Sequence, residues 1–233
     1  MAYPLAVAAI SLLFALATGR QYAARRRPYQ LVWTIALGMS AIASIAYLFA
    51  HPPGSSAAAF RAYYLFGAAL MPAWLGLGSL LLLDLRKAAQ WVIATFLAVS
   101  ALAAGSVLQA SIDPARLAAL DGGPGTGVLQ PGPWLPLTIV LNTAGVTAVV
   151  GVAILSGVQV LRRRGTGRVL LANLLIAAGD LMVGIAGSLA RTGHPELFWV
   201  TMLAGWIVIF VGFLLTVQPA TTGYRFSFWY RPA

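Results

Sequence analysis

The chain alternates long apolar stretches with short polar ones. An α-helix of about twenty residues crosses the ~30 Å hydrocarbon core of a bilayer, and seven stretches have about that length. The pattern predicts an all-α integral membrane protein with seven transmembrane helices, at residues 3–18, 31–50, 62–83, 91–110, 135–161, 169–190 and 197–217. They form one transmembrane domain over residues 1–218, with an outer loop at 111–133, and residues 219–233 follow as a tail.

The composition excludes a soluble domain. Hydrophobic residues make up 60% of the chain and charged residues only 9%, whereas about 25% of the residues of a soluble domain are charged. The chain has no cysteine. A disulfide framework, a thiol nucleophile, an iron–sulfur cluster and a cysteine-ligated zinc site are therefore excluded.

The positive residues indicate how the helices are oriented. Of the 15 Lys and Arg residues, only Arg61, Arg116 and Arg191 lie in or beside the connections after the second, fourth and sixth stretches. The other twelve (15 − 3) follow the odd-numbered stretches, at Arg20, Arg25, Arg26, Arg27, Arg86, Lys87, Arg162, Arg163, Arg164, Arg168, Arg225 and Arg231. The positive-inside rule then places the N-terminus outside and the C-terminus in the cytoplasm. The absence of a targeting signal favours a prokaryotic plasma membrane.

Asp180 is the residue most indicative of function. It lies near the middle of the sixth stretch, and an ionisable group at that depth costs at least ~2.5 kcal/mol to insert. Such a group normally faces the interior of a bundle or a water-filled cavity. Every Lys and Arg is predicted at a membrane interface. Asp180 is therefore expected either to be protonated or to be reached by water or a cation.

Small and polar residues share a face of the sixth helix with Asp180, at spacings of three or four: Asn173, Ala177, Gly184 and Gly187 or Ser188. Other helices offer polar groups that could approach it, and the candidate ligand or proton site consists of Asp180, Asn173, Asn142, Thr143, Thr147, Ser44, Tyr47 and Trp206. A working carboxyl is one interpretation of this set. The alternative is a neutral carboxyl that joins neighbouring helices by hydrogen bonds.

Two features outside the sixth helix carry structural predictions. Pro72 lies mid-span in the third stretch, where it removes a backbone hydrogen bond and should kink the helix. In the outer loop, Asp113 and Pro114 have the order of an N-cap and a first helical residue, and Gly122 is a stop signal, so a short helix is predicted there. The remainder of that loop is expected to be irregular, either as a lid or as a mobile connector.

The order of the spans also suggests an internal layout. Triple-arginine turns follow the first and fifth spans, at 25–27 and 162–164, which favours a three-plus-one-plus-three arrangement. This layout resembles that of small transporters of the SWEET type, although the proline–glutamine pair of those transporters is missing, so the resemblance is architectural. A retinal Schiff base is excluded because Lys87 is the only lysine and the seventh span has none. No cofactor is predicted.

Catalysis is not expected from the residue inventory. The acids other than Asp180 all lie at or beyond the ends of spans, at Asp84, Asp113, Asp121 and Glu196, so no second carboxylate shares its depth. His51, His194 and Glu196 are weak candidates for a metal site, because they lack the spacing of known metal-binding motifs. We therefore predict no metal and no enzymatic activity.

The tail at 219–233 mixes aromatic residues with arginines and is expected to lie among anionic headgroups at the cytoplasmic face. The positive charge of the chain is dispersed at helix ends, so nucleic acid is not an expected partner. Two functions remain open at this point. One is a small transporter or a ligand- or proton-responsive bundle centred on Asp180, and the other is a structural or accessory subunit, or a homo-oligomer, within a larger membrane complex.

Overall fold

A computed structural model describes residues 1–83, 88–162 and 167–216. The described residues contain seven helices that are long and apolar enough to cross a membrane: α1 (Ala2–Arg25), α2 (Pro28–Ala50), α3 (Ala57–Leu80), α4 (Ala88–Gln109), α5 (Trp134–Arg162), α6 (Gly167–Arg191) and α7 (Leu197–Thr216). The prediction of seven apolar spans is confirmed. The tail at 219–233 lies outside the described residues.

Several helices extend beyond the apolar stretches that predicted them. The largest difference is in α1, which continues to Arg25 although its apolar stretch ends near residue 18. Hydropathy falls at Arg20 and Gln21, but both are good helix formers, so the helix continues through them. It ends at Arg26, which adopts a left-handed conformation, and Pro28 then occupies the first turn of α2.

Six of the helices form a closed ring. In order around it, α1 packs on α2, α2 on α3, α3 on α5, α5 on α6, α6 on α7, and α7 on α1. Helix α4 lies outside the ring, where it packs against α3 and α5, and it is the least buried of the seven spans. The two triplets α1–α3 and α5–α7 thus occupy corresponding halves of the ring, and α4 connects them.

Glycines bring two pairs of helices into backbone contact. A Cβ atom on Gly76 of α3 would lie 2.6 Å from the Cα of Gly145 in α5. In the antiparallel pair α6 and α7, Gly179 lies against the backbone of Gly205, and Gly212 lies against the carbonyl of Ala172. Small residues that let backbones approach closely are the usual means of helix association in membranes, because lipid provides no hydrophobic driving force between helices.

A π-helical segment precedes Pro72, the residue at which the sequence predicts a kink. Residues Tyr64–Leu70 of α3 form this segment, and the backbone N–H of Met71 donates to the carbonyl of Phe66, five residues earlier. Pro72 has no N–H to continue the α-helical pattern at this turn. A widened turn is one way in which a helix absorbs that loss.

The residues between α4 and α5 fold back as a cover over one end of the ring, which we call the loop end. Asp113 caps the short helix Pro114–Ala118 by accepting hydrogen bonds from the backbone of Ala115 and Arg116, as predicted. Ile112 and Leu129 then pair as an isolated antiparallel bridge. Buried apolar side chains attach the cover to the helices, at Leu117, Leu120, Val128 and Leu129.

Candidate functional site

Asp180 lies inside the ring, at the α5 side of α6. About two turns before it along α6, Asn173 donates a hydrogen bond of 2.9 Å to the Ser156 hydroxyl of α5. One turn above it, Gly184 lies against Val146 of α5. Asp180 is between these two contacts along α6 and is only 3% exposed. Asn173 and Gly184, two members of the stripe predicted from the sequence, therefore contact α5, whereas Ser188 of that stripe is exposed.

The carboxyl of Asp180 has no hydrogen-bond partner among the described residues, and its Oδ2 atom is fully buried. An unpaired polar group in a protein interior costs about 1–3 kcal/mol relative to a paired one. The described part of α5, α6 and α7 also contains no Lys or Arg at this depth. Asp180 is therefore a buried carboxyl whose partner does not come from the described side chains.

A second unpaired polar group lies at the same level of the ring. Gly179 meets Gly205 across the α6–α7 interface, and the residues that follow these glycines are Asp180 and Trp206. The Trp206 side chain is completely buried, and its indole N–H has no partner among the described residues. Its ring meets Phe14 of α1 edge-on, with 6.5 Å between centroids. The bundle thus has a buried donor and a buried acceptor in one layer.

The other predicted site residues are not gathered around Asp180. Tyr47 lies at the loop end, where its hydroxyl donates to the Gly123 carbonyl at 2.6 Å. Ser44 is buried in α2, and the buried side-chain oxygen of Asn142 in α5 has no partner among the described residues. Thr143 and Thr147 are exposed on the outer surface of α5. The expectation that these two threonines face the ring interior was wrong, because a uniformly apolar helix does not mark its inward face.

The sequence interpretation missed the most buried stripe of α6. Ala172, Gly179 and Ala186 recur every seven residues and are buried, and the first two meet Gly212 and Gly205 of α7. The seven-residue spacing of small residues on both helices was a readable signal. It determines that Asp180 lies beside the tightest helix contact of α6, because it directly follows Gly179.

The histidines lie at the loop end. The side chains of His194 and Glu196 are 3.4 Å apart and mostly exposed, and His51 lies 2.9 Å from the carbonyl of Pro52. Within residues 1–83, 88–162 and 167–216, no group of three or more His, Asp or Glu side chains is arranged to hold a metal ion.

A cavity of about 530 Å³ lies beneath the cover at the loop end. Its walls come from α3, α5, α6 and the start of α7, and the loop 111–133 forms its roof. Gly187 of α6 is among the lining residues. It is seven residues beyond Asp180, which is about 10 Å along a helix. The cavity and the buried carboxyl are therefore separate, but they share α6.

The fold and its interior define a class: a helical bundle with seven apolar spans, as expected of an integral membrane protein, with an unpaired carboxyl inside the ring and a covered cavity at one end. No protein-family model, no curated protein and no solved structure matches this chain significantly.

Proposed function

We propose that this protein is a small, non-enzymatic membrane protein that works as a transporter or a proton-responsive bundle, with Asp180 as the group that exchanges a proton or cation. In this proposal the N-terminus and the loop end face outside, and the protein lies in a prokaryotic plasma membrane. The orientation is supported by the excess of arginine and lysine in the connections at the opposite end.

The observation that carries the proposal is the unpaired, buried carboxyl of Asp180. A residue that joins helices by hydrogen bonding has a partner on another helix. Asn173 of α6 has such a partner in Ser156 of α5. Asp180 has none among the described residues. A partner from outside the chain, whether a proton, a water molecule or a cation, would satisfy the carboxyl at a depth where leaving it unsatisfied is costly.

The remaining acids support a role without catalysis or cofactor. Three of these acids lie in the connections at the loop end, at Asp113, Asp121 and Glu196. Asp180 lies within a membrane-spanning helix, so they are not at its depth. General acid–base chemistry at Asp180 would need a second titratable group within hydrogen-bond reach. No other Asp or Glu among the described residues lies in a membrane-spanning helix.

The test is difference infrared spectroscopy of the carboxyl band in lipid bilayers, from about pH 4 to about pH 9. We expect a protonated-carboxyl band that disappears as the pH is raised and that is missing in Asp180→Asn. The control is Asp121→Asn, which removes an exposed acid from the loop end and should leave the band in place. A band that persists unchanged at every pH would contradict the proposal.

A specific observation favours a second function, that of an accessory subunit. Thr143 and Thr147 are exposed on the surface of α5, where hydrocarbon would surround them. They are one turn apart, and polar or small residues at that spacing commonly mark contacts between membrane helices. If this face binds a partner helix, the double variant Thr143→Leu with Thr147→Leu should lose a co-purifying membrane subunit. The matched double variant Val140→Leu with Ile154→Leu, also exposed on α5, should retain it.

A further inference from the structure

The cavity at the loop end has the volume of a small-molecule site. Its volume of about 530 Å³ falls within the range of roughly 300–1,000 Å³ that is usual for ligand pockets. Its roof is fastened to the helices by hydrogen bonds from Tyr47 to Gly123 and from Tyr63 to Pro124, of 2.6 and 3.3 Å. The site is thus bordered by side chains from distant parts of the chain.

The charges that face this cavity sum to +1. Its lining includes Arg116, Arg191 and Asp113, which contribute two positive charges and one negative. Arg116 and Asp113 form a pair at 3.5 Å, so their charges largely offset each other. Arg191, at the end of α6, has no carboxylate partner within the described ranges, and its guanidinium is close enough to interact with the Tyr64 hydroxyl. Arg191 is therefore the available cation of the cavity.

The walls beside Arg191 are aromatic. Tyr64 of α3 and Trp134 of α5 meet edge-on, with 4.9 Å between ring centroids, and Tyr63 and Phe198 also line the cavity. Pockets of this kind bury the apolar body of a ligand while one or two polar groups fix its orientation. A guanidinium without a carboxylate partner, beside several aromatic rings, favours a ligand that has an anionic group and an apolar body.

We propose that the loop-end cavity binds a small organic anion, whose carboxylate or phosphate pairs with Arg191 while its apolar body packs against Tyr64 and Trp134. Arginine is suited to this role because its planar fork donates two parallel hydrogen bonds to such a group. The anion could be a soluble molecule or an anionic lipid headgroup, since both present the same chemistry. The site goes beyond the role of Asp180 and does not depend on it.

The test uses purified protein in nanodiscs of neutral phosphatidylcholine, with 4-phenylbutyrate as the probe and the uncharged 4-phenylbutanol as its matched control. Binding is measured by equilibrium dialysis against empty nanodiscs. We expect saturable binding of the anion only, weakened at least about tenfold by Arg191→Gln, which corresponds to the loss of one charge-assisted hydrogen bond. Arg191→Lys should retain part of the affinity, and Arg25→Gln, which removes an exposed arginine at the opposite end, should retain all of it.

A second arm separates the two sources of the anion. Anionic phosphatidylglycerol is added to the nanodiscs. If it displaces 4-phenylbutyrate from wild-type protein and raises Tm only when Arg191 is present, the lipid headgroup occupies the site. If 4-phenylbutyrate binds unchanged, the site takes soluble anions. Equal binding of the anion and the alcohol, or full retention of binding in a folded Arg191→Gln protein, would overturn the proposal.

Asp180→Asn makes this experiment independent of the proposed function. That variant leaves the cavity lining intact, so we expect it to bind 4-phenylbutyrate like wild type. A protein that loses its pH-dependent infrared response but keeps anion binding would confirm two separate sites. Loss of binding in Asp180→Asn would contradict their independence.

Discussion

The loop end and the middle of the bundle are stabilised in different ways. At the loop end, long side chains donate to backbone carbonyls of a segment far away in sequence, as Tyr47 does to Gly123 across 76 positions and Arg61 does to Ala110. In the middle, glycines bring backbones together at Gly76 and Gly145. Polar side chains there are few, and Asp180 is unpaired among the described residues.

This difference distinguishes polar residues that stabilise the fold from polar residues that do not. Tyr47 and Tyr63 at the loop end have partners within the chain, so removal of their hydroxyls should mainly affect stability. In the middle, Asp180 adds nothing to stability that the structure accounts for, although it is expensive to place in hydrocarbon. A buried polar residue that has no partner and costs free energy to insert is expected to serve a function and not the stability of the fold. Four substitutions test this contrast, beginning with the largest expected effect.

Gly145→Val should be the most damaging change. A Cβ atom at this position would overlap the carbonyl of Pro72 in α3, and neither backbone can move without separating the two helices. We expect a loss of about 3 kcal/mol or more in the free energy of unfolding, measured by SDS titration in mixed micelles with circular dichroism. Gly151→Ala on the same helix, where a Cβ meets nothing within 4 Å, should change it by less than about 1 kcal/mol.

Asp180→Leu should stabilise the bundle while abolishing any pH response. The substitution removes an unpaired buried polar group and replaces it with an apolar side chain of similar size, which should add about 1–3 kcal/mol to the free energy of unfolding. The same SDS titration measures it, with Asp180→Asn as the variant that keeps the polarity and shape. A destabilised Leu variant would mean that Asp180 joins helices after all.

Tyr47→Phe should weaken the cover without affecting the middle of the bundle. The variant keeps the buried ring but removes the hydrogen bond to Gly123, at a cost of about 1 kcal/mol. Hydrogen exchange should show faster exchange in residues 111–133 and no change in α6. Tyr22→Phe is the control, since Tyr22 lies near the C-terminal end of α1, at the end of the bundle opposite the cover. Unchanged exchange in the cover would contradict this role of Tyr47.

Ser40→Ala should have the smallest effect of the four. Its hydroxyl is 2.9 Å from that of Ser11, which joins α1 to α2 inside the ring. Bonds of this type between membrane helices average about 0.6 kcal/mol. Thermal unfolding should show a correspondingly small decrease in Tm, while Ser188→Ala on the exposed face of α6 should show none. A loss above about 2 kcal/mol in the free energy of unfolding would contradict this prediction, because hydrogen bonds inside the ring would then contribute more to stability than expected.

The sequence predicted the spans well because backbone groups in hydrocarbon must be paired internally, and a helix pairs them within one segment. It also located Asp180, since depth can be counted along a span. It did not predict the inward face of α5, and Thr143 and Thr147 were misplaced for that reason. The loop-end cavity was not predicted either, because contacts such as that of Tyr63 with Pro124 join positions 61 apart.

The π-helical segment Tyr64–Leu70 has a consequence for how α3 is divided. A π turn holds an extra residue compared with an α turn, so the residues before and after the segment are out of phase by about one residue, or 100° of rotation. The half of α3 after the segment, which carries Gly76, contacts the backbone of α5, and the half before it ends at Tyr63, which lines the cavity. The two halves of α3 therefore present their contact faces in different directions. In a regular α-helix both faces would follow one 3.6-residue repeat.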